Sequence, residues 1–171
     1  GRTVLELGAG RGALSLELLI RGASAVTGND LSSEMVDQAR RRIAAAGRAD
    51  RATFEAGDAA ALTLSPHDVV VSDKVFCCYP DAAGLLENSL PAAREVYAFA
   101  LPASRGPRGL LSRIGIAFEN LARRVRRNPF RAYVHSLRRI DARVRRAGFS
   151  PVARGRHWLW DVAVYRREAI D

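Results

Sequence analysis

The sequence predicts an α/β fold: a three-layer sandwich whose mostly parallel, seven-stranded twisted sheet ends in an antiparallel C-terminal hairpin strand. Three observations carry this. Short apolar runs alternate with segments of helical periodicity from Thr3 to Leu101, the pattern of strands joined by crossover helices. The first run passes directly into a glycine-rich turn, Gly8-Ala-Gly-Arg-Gly12, and then a helix pattern. The last two apolar runs lie too close in sequence for a crossover, so they pair as a hairpin.

Taken in order, Thr3-Val-Leu-Glu-Leu7 is a short buried strand. Ala13 to Arg21 places apolar residues at helical spacing, and Gly22 stops that helix. Ala23 to Gly28 is the second strand, tipped by Asn29-Asp30. Ser32 or Ser33 caps the next helix, with Glu34 in its first turn, and the helix runs to Ala46 before Gly47. Residues 52–56 and 68–72 are the third and fourth strands, 82–89 a short helix, and 95–101 the fifth strand. Residues 102–136 break the rhythm with a Pro- and Gly-containing opening and a basic, helix-like run. Leu137 to Ala147 is the last helix, followed by strands at 150–156 and 159–166.

The chain has 171 residues, enough for one domain with a real core. We read residues 1–171 as that single domain, with 102–136 as an insert. No apolar run is long enough to span a bilayer. No signal-peptide pattern is visible. The chain starts at Gly1 rather than Met, and a preceding segment is expected. Cys77 and Cys78 are adjacent, a poor start for a disulfide, and no metal-ligand spacing is present; a reducing, cytoplasmic setting is expected. Net charge is +9; of 27 basic residues one is Lys74 and the other 26 are arginine. That balance admits nucleic acid, anionic lipid or an acidic small molecule, and selects none of them.

The best-described site lies at the first turn. Gly8, Gly10 and Gly12 let the backbone turn sharply and approach a ligand. The helix beginning there points its free N–H groups at the same place. Asp30 ends the next strand at roughly the 20-residue spacing of an acid that meets a ribose hydroxyl pair. Together these favour a nucleoside ligand without separating a nicotinamide dinucleotide from S-adenosylmethionine. Glu6 sits in an apolar strand, where an unpartnered carboxylate is costly.

Val4-Leu-Glu-Leu-Gly-Ala-Gly-Arg-Gly12 resembles the first motif of class I S-adenosylmethionine-dependent methyltransferases. Val26-Thr-Gly-Asn-Asp-Leu-Ser-Ser-Glu-Met35 resembles the segment that follows it. Ala56-Gly-Asp-Ala59, Asp68-Val-Val-Val-Ser72 and Arg146-Ala-Gly-Phe149 resemble the family's later motifs. The glycines lack the G-x-G-x-x-G spacing of hydride-transferring Rossmann enzymes. The resemblance implies S-adenosylmethionine as cofactor and S-adenosylhomocysteine as product. It implies that Glu6 faces the methionine amino group and that Gly8, Ala9 and Gly10 line the methionine and ribose. Asp30 would hold the ribose hydroxyls, with Leu31 and Met35 against the adenine. Asp58 and the Ala59 N–H would meet the adenine edge, and Ser72 would stand near the reactive methyl. Met35 reads equally well as a plain core residue, and Asp58 as a turn cap.

The loop Asp73-Lys-Val-Phe-Cys-Cys-Tyr-Pro-Asp81 is similar to that of small-molecule enzymes such as the magnesium-protoporphyrin and quinone-biosynthesis O-methyltransferases. Tyr79 and Lys74 are placed to orient an acceptor. His135 reads as a structural histidine or, alternatively, a general base. Cys77 and Cys78 read as packing residues. In the family, the segment matching 102–136 often forms a lid; here Leu110, Leu111, Ile114, Phe118, Leu121 and Val125 recur at mostly helical spacing among arginines. The expectation is methyl transfer to a small acceptor, acidic or apolar, at oxygen or carbon, with no obligatory nucleic acid. Loose membrane-surface contact through 108–131 and a monomeric state are further expectations. RNA methylation and a non-catalytic cofactor-binding module are the alternatives.

Overall fold

The computed structural model describes residues 1–168. Its elements are β1 (Thr3–Leu7), α1 (Ala13–Ile20), β2 (Ala25–Asp30), α2 (Ser33–Ala45), β3 (Ala52–Ala56), β4 (His67–Asp73), α3 (Ala82–Ser89), β5 (Ala93–Pro102), α4 (Gly106–Val125), α5 (Leu137–Arg146), β6 (Phe149–His157) and β7 (Trp160–Arg167). One seven-stranded sheet runs β3-β2-β1-β4-β5-β7-β6. β1 to β5 are parallel, and β7 is antiparallel to both its neighbours. The seven strands, the parallel run from β1 to β5 and the C-terminal hairpin agree with the sequence expectation.

The chain leaves β1 toward one edge, reaches β3, then crosses back to place β4 on the other side of β1. Open α/β sheets bind ligands at such a reversal, here between the loops that follow β1 and β4. β1 is buried on both faces because helices cover both. Its side chains alternate. Leu5 and Leu7 join a core with Val70, Phe76, Tyr97, Phe99, Val144 and Tyr165. Val4 joins the opposite core with Val26, Val36, Ala39, Ile43 and Phe54 from β2, α2 and β3. Glu6 shares Val4's face, and this directs its carboxylate at α1.

Tyr97 is fully buried, and its hydroxyl pairs with Ser89 Oγ at 2.8 Å. The same Oγ donates to the Leu85 carbonyl at 2.6 Å. Tyr97→Phe keeps the ring and removes that pairing, so it should cost about 1 kcal/mol in chemical denaturation. An unchanged midpoint would show that the hydroxyl contributes nothing.

The 102–136 stretch does contain the expected helix, but its packing is the reverse of an ordinary amphipathic helix. Gly109 and Ser112 of α4 are buried. Leu110, Leu111, Ile114, Phe118, Leu121 and Val125 are exposed, between 45% and 77%. The apolar stripe is therefore left largely uncovered by the described residues. Gly109 lies so close to Ser104 that a Cβ there would meet its carbonyl carbon at 2.5 Å; close backbone approach seats the helix.

Candidate active site

The turn after β1 is built from left-handed backbone. Gly8 has φ +64° and Gly10 has φ +51°, a region that side-chain-bearing residues rarely adopt. A Cβ on Gly8 would stand 2.4 Å from Val75 Cγ2, so the turn also packs directly on the β4 loop. A Cβ on Gly10 would meet nothing within 4 Å. The backbone there faces open space, as a loop that admits a ligand must.

Asp30 ties β2 to this turn. Its Oδ2 accepts from Gly10 N at 2.9 Å, and its Oδ1 accepts from Ser32 N at 2.9 Å. Each oxygen keeps a lone pair for a further donor. Ser32 Oγ caps α2 by accepting from Met35 N at 3.3 Å. Leu31 stands exposed beside it, and Met35 is half-buried. Ala9 is buried, and its N–H bonds the Asn29 carbonyl at 2.7 Å.

Glu6 is only 3% exposed. Among the described residues the Ser15 hydroxyl donates to its Oε2. Burial pushes its carboxyl up to about 7, and the carboxylates of Asp73 and Asp30 add to the rise while Ser15 opposes it. Ser15 was invisible as a partner in the sequence. Only the β1–α1 packing brings it to Glu6, nine residues away.

Asp58 and Tyr79 meet side chain to side chain. Tyr79 Oη donates to Asp58 Oδ1 at 2.6 Å, and Ala60 N donates to the same oxygen at 2.8 Å. Ala59 is buried behind this loop. Burial, helped by the bond to Asp58, raises the Tyr79 hydroxyl well above an ordinary phenol, so it stays protonated. His135 Nε2 lies 2.7 Å from the Tyr79 carbonyl. A carbonyl only accepts, so this nitrogen carries the proton, and Nδ1 is the free lone pair of the neutral ring. The three residues named separately from sequence thus form one chain of contacts, Asp58–Tyr79–His135.

Ser72 is fully buried at the end of β4, and its Oγ has no partner. A buried hydroxyl without a partner among the described residues is satisfied by an ordered water or by a bound group. Lys74 follows in left-handed conformation at φ 60°, with Nζ 5.2 Å from the Trp160 ring centroid. Cys77 and Cys78 are free thiols 3.8 Å apart at Sγ. Cys77 is buried, and its Sγ donates to the Lys74 carbonyl at 3.0 Å, which suits the packing role expected of it.

Beside Tyr79 lies a cleft of about 520 Å³, lined by Asp81, Ala83, Arg113, His135, Arg139 and Arg143 among others. Arg143 is paired with Glu87 at 2.9 Å. Arg139 and its neighbours were missed from sequence because they come from α3, α4 and α5, which only the tertiary structure gathers.

A glycine turn, an acid ending the second strand and a buried carboxylate behind the turn, at a β1/β4 switch point, define the class I methyltransferase arrangement. Residues 4–94 match the sequence model of a family described as a methyltransferase domain, and the chain belongs to that family. Its class is that of S-adenosylmethionine-dependent methyltransferases. Among solved structures it is similar to magnesium protoporphyrin IX methyltransferase from Synechocystis with bound S-adenosylhomocysteine. There the TM-score is 0.77 at 24% identity, over 98% of this chain and 74% of that one. It is also similar to an O-methyltransferase family 2 protein from Planctomyces limnophilus in complex with apigenin, at TM-score 0.77 and 18% identity, over 98% of this chain and 51% of that one. At these identities the likeness concerns the fold. A curated relative, ribosomal RNA small subunit methyltransferase A of Prochlorococcus marinus, is 36% identical over 77 residues, which are 45% of this chain and 26% of that protein. The chain thus spans about a quarter of that relative's length.

The residues present fit S-adenosylmethionine. The open backbone at Gly10, the unpaired Ser72 hydroxyl and the spare lone pairs of Asp30 are the features it needs. Glu6 adds a buried carboxylate with no cation among its hydrogen-bond partners.

Proposed function

We propose that this chain methylates a small organic acceptor bearing an acidic group, at an oxygen or carbon atom. The observation that carries this is the cleft beside Tyr79, whose lining includes Arg113, Arg139 and His135. Guanidinium forks match carboxylate and phosphate geometry.

Bound at the β1/β4 switch point, S-adenosylmethionine would supply an electrophilic methyl group on its sulfonium. Gly8, Ala9, Gly10 and Asp30 would hold its ribose and methionine portions, and Glu6 its amino group. Leu31, Met35, Asp58 and Ala59 would border the adenine, and Ser72 the reacting end. The protein's main contribution is alignment of donor and acceptor. Tyr79, protonated and anchored to Asp58, orients an acceptor by accepting at its remaining lone pairs. His135 holds the Tyr79 loop through Nε2–H, and its Nδ1 is the available proton acceptor when an acceptor hydroxyl must lose a proton.

The test is S-adenosylhomocysteine formation with a panel of small carboxylate- and phosphate-bearing acceptors, and with ribosomal RNA as a separate arm. Arg139→Glu should raise KM for the acidic acceptor roughly tenfold, while S-adenosylhomocysteine affinity stays constant. Turnover with neutral analogues at equal KM would overturn the acidic-acceptor reading. The match to a ribosomal RNA enzyme favours RNA as the second reading, and RNA-dependent turnover alone would establish it. Cofactor binding with no turnover in any arm would indicate a binding module.

A further inference from the structure

The apolar stripe of α4 has no role in the site described above. Six large side chains, from Leu110 to Val125, project from one face of a twenty-residue helix. Phe118 alone is 68% exposed. Isolated exposed apolar residues are ordinary, whereas a continuous stripe along a helix marks a contact surface.

Arginines frame this stripe. Arg108 pairs with Asp161, and Arg123 with Glu119. Among the described residues Arg105, Arg124, Arg126 and Arg127 form no ion pair. Two of these are at the two ends of the helix, Arg105 as its N-cap and Arg126 as its C-cap. The tip of the β6–β7 hairpin adds an independent feature. Trp158 is 79% exposed and held in left-handed conformation at φ 49°. For so bulky a residue that backbone is strained. The tip is fixed to α4 because Arg108 Nε donates to the Trp158 carbonyl at 2.8 Å. An exposed indole is thereby fastened beside the apolar stripe.

We infer that α4, together with Trp158, docks on an anionic lipid bilayer. A helix that lays leucine, isoleucine and phenylalanine into the headgroup boundary, with arginines reaching lipid phosphates, has this composition. Indole rings favour the same interface. A second copy of the chain fits less well. Each copy carries a net charge of +9, and pairing the two stripes would bring unpaired arginines together. Nucleic acid would use the arginines and stack on Phe118 and Trp158, but it has no use for the aliphatic majority of the stripe, Leu110, Leu111, Ile114, Leu121 and Val125. The inference concerns a surface outside the cleft and stands apart from the identity of the acceptor.

The experiment is flotation of the chain with vesicles of phosphatidylcholine alone and vesicles holding about a third phosphatidylglycerol. The chain should float with the anionic vesicles, and bound fraction should fall with added salt. Tryptophan emission should shift to the blue on binding. Phe118→Ser with Leu121→Ser should lower vesicle affinity at least tenfold, and Arg124→Glu with Arg126→Glu should do the same. All four positions are exposed, and unchanged S-adenosylhomocysteine binding would show that both variants keep their fold. No flotation with anionic vesicles overturns the inference. So does a concentration-dependent dimer that Phe118→Ser with Leu121→Ser abolishes, because the stripe then joins copies of the chain. Either failure would leave the methyl-transfer reading intact, since turnover is measured without lipid.

Discussion

Replacing Asp30 by alanine should weaken S-adenosylhomocysteine binding by about 3 kcal/mol, somewhat over a hundredfold in Kd. The size follows from what the carboxylate does in this structure. It would accept the two ribose hydroxyls, each a charge-assisted bond. It also accepts from Gly10 N and Ser32 N, both at 2.9 Å, and so holds the glycine turn against the end of β2. Alanine removes the ligand contacts and leaves both backbone N–H groups without their acceptor. Isothermal titration calorimetry measures the change, and denaturation of the unliganded variant separates lost contacts from a loosened turn. Equal affinity in the two proteins would remove Asp30 from the cofactor site.

A comparable effect is expected from Glu6, through pH. Its carboxyl is pushed up to about 7 in the folded chain, from 4.5 when free of the fold. A raised folded value means that the folded chain holds the proton more tightly than the unfolded one. The stabilising contribution is therefore complete below about pH 4.5 and is lost as pH rises to about 7. The full difference is about 3 kcal/mol. Glu6→Gln keeps the shape and the Ser15 neighbour but has no carboxyl to ionise. Urea denaturation at about pH 5 and about pH 8 should show the wild type losing stability relative to the variant at the higher pH. Parallel curves for the two proteins would contradict the buried, proton-holding Glu6. On the proposed reading the same carboxylate, once ionised, would partner a cofactor ammonium group, so S-adenosylmethionine affinity should rise through the same range in the wild type and stay flat in Glu6→Gln.

Most of the fold was legible in the residues because it rests on local rules. Period-two apolar runs, the Gly8–Gly12 turn, the Ser32 cap and the glycine stops at 22, 47 and 148 are each decided within a few positions. The strand order β3-β2-β1-β4-β5-β7-β6 was not legible in this way, because alternation and crossover handedness leave several orders open. The cofactor side of the site was legible for a related reason, since Gly8, Gly10 and Asp30 sit at the ends of consecutive elements and their spacing carries their geometry.

The acceptor side was not legible. Asp58, Tyr79 and His135 lie 21 and 56 residues apart along the chain and meet only because the β3, β4 and α4–α5 connections converge over one edge of the sheet. Ser15 reaching Glu6, and Arg113 and Arg139 sharing a cleft, are likewise products of packing. The orientation of α4 is the sharpest case. Helical periodicity locates an apolar stripe but says nothing about which way it faces. The close contact of Gly109 with the backbone of Ser104 turns the small-residue face inward and the leucines outward. The sequence by itself determined a methyltransferase sheet with a nucleoside-binding turn, because those features are local and periodic. The tertiary structure alone decided what surrounds the acceptor and what the arginine-rich helix presents to solvent, because both depend on contacts between distant segments.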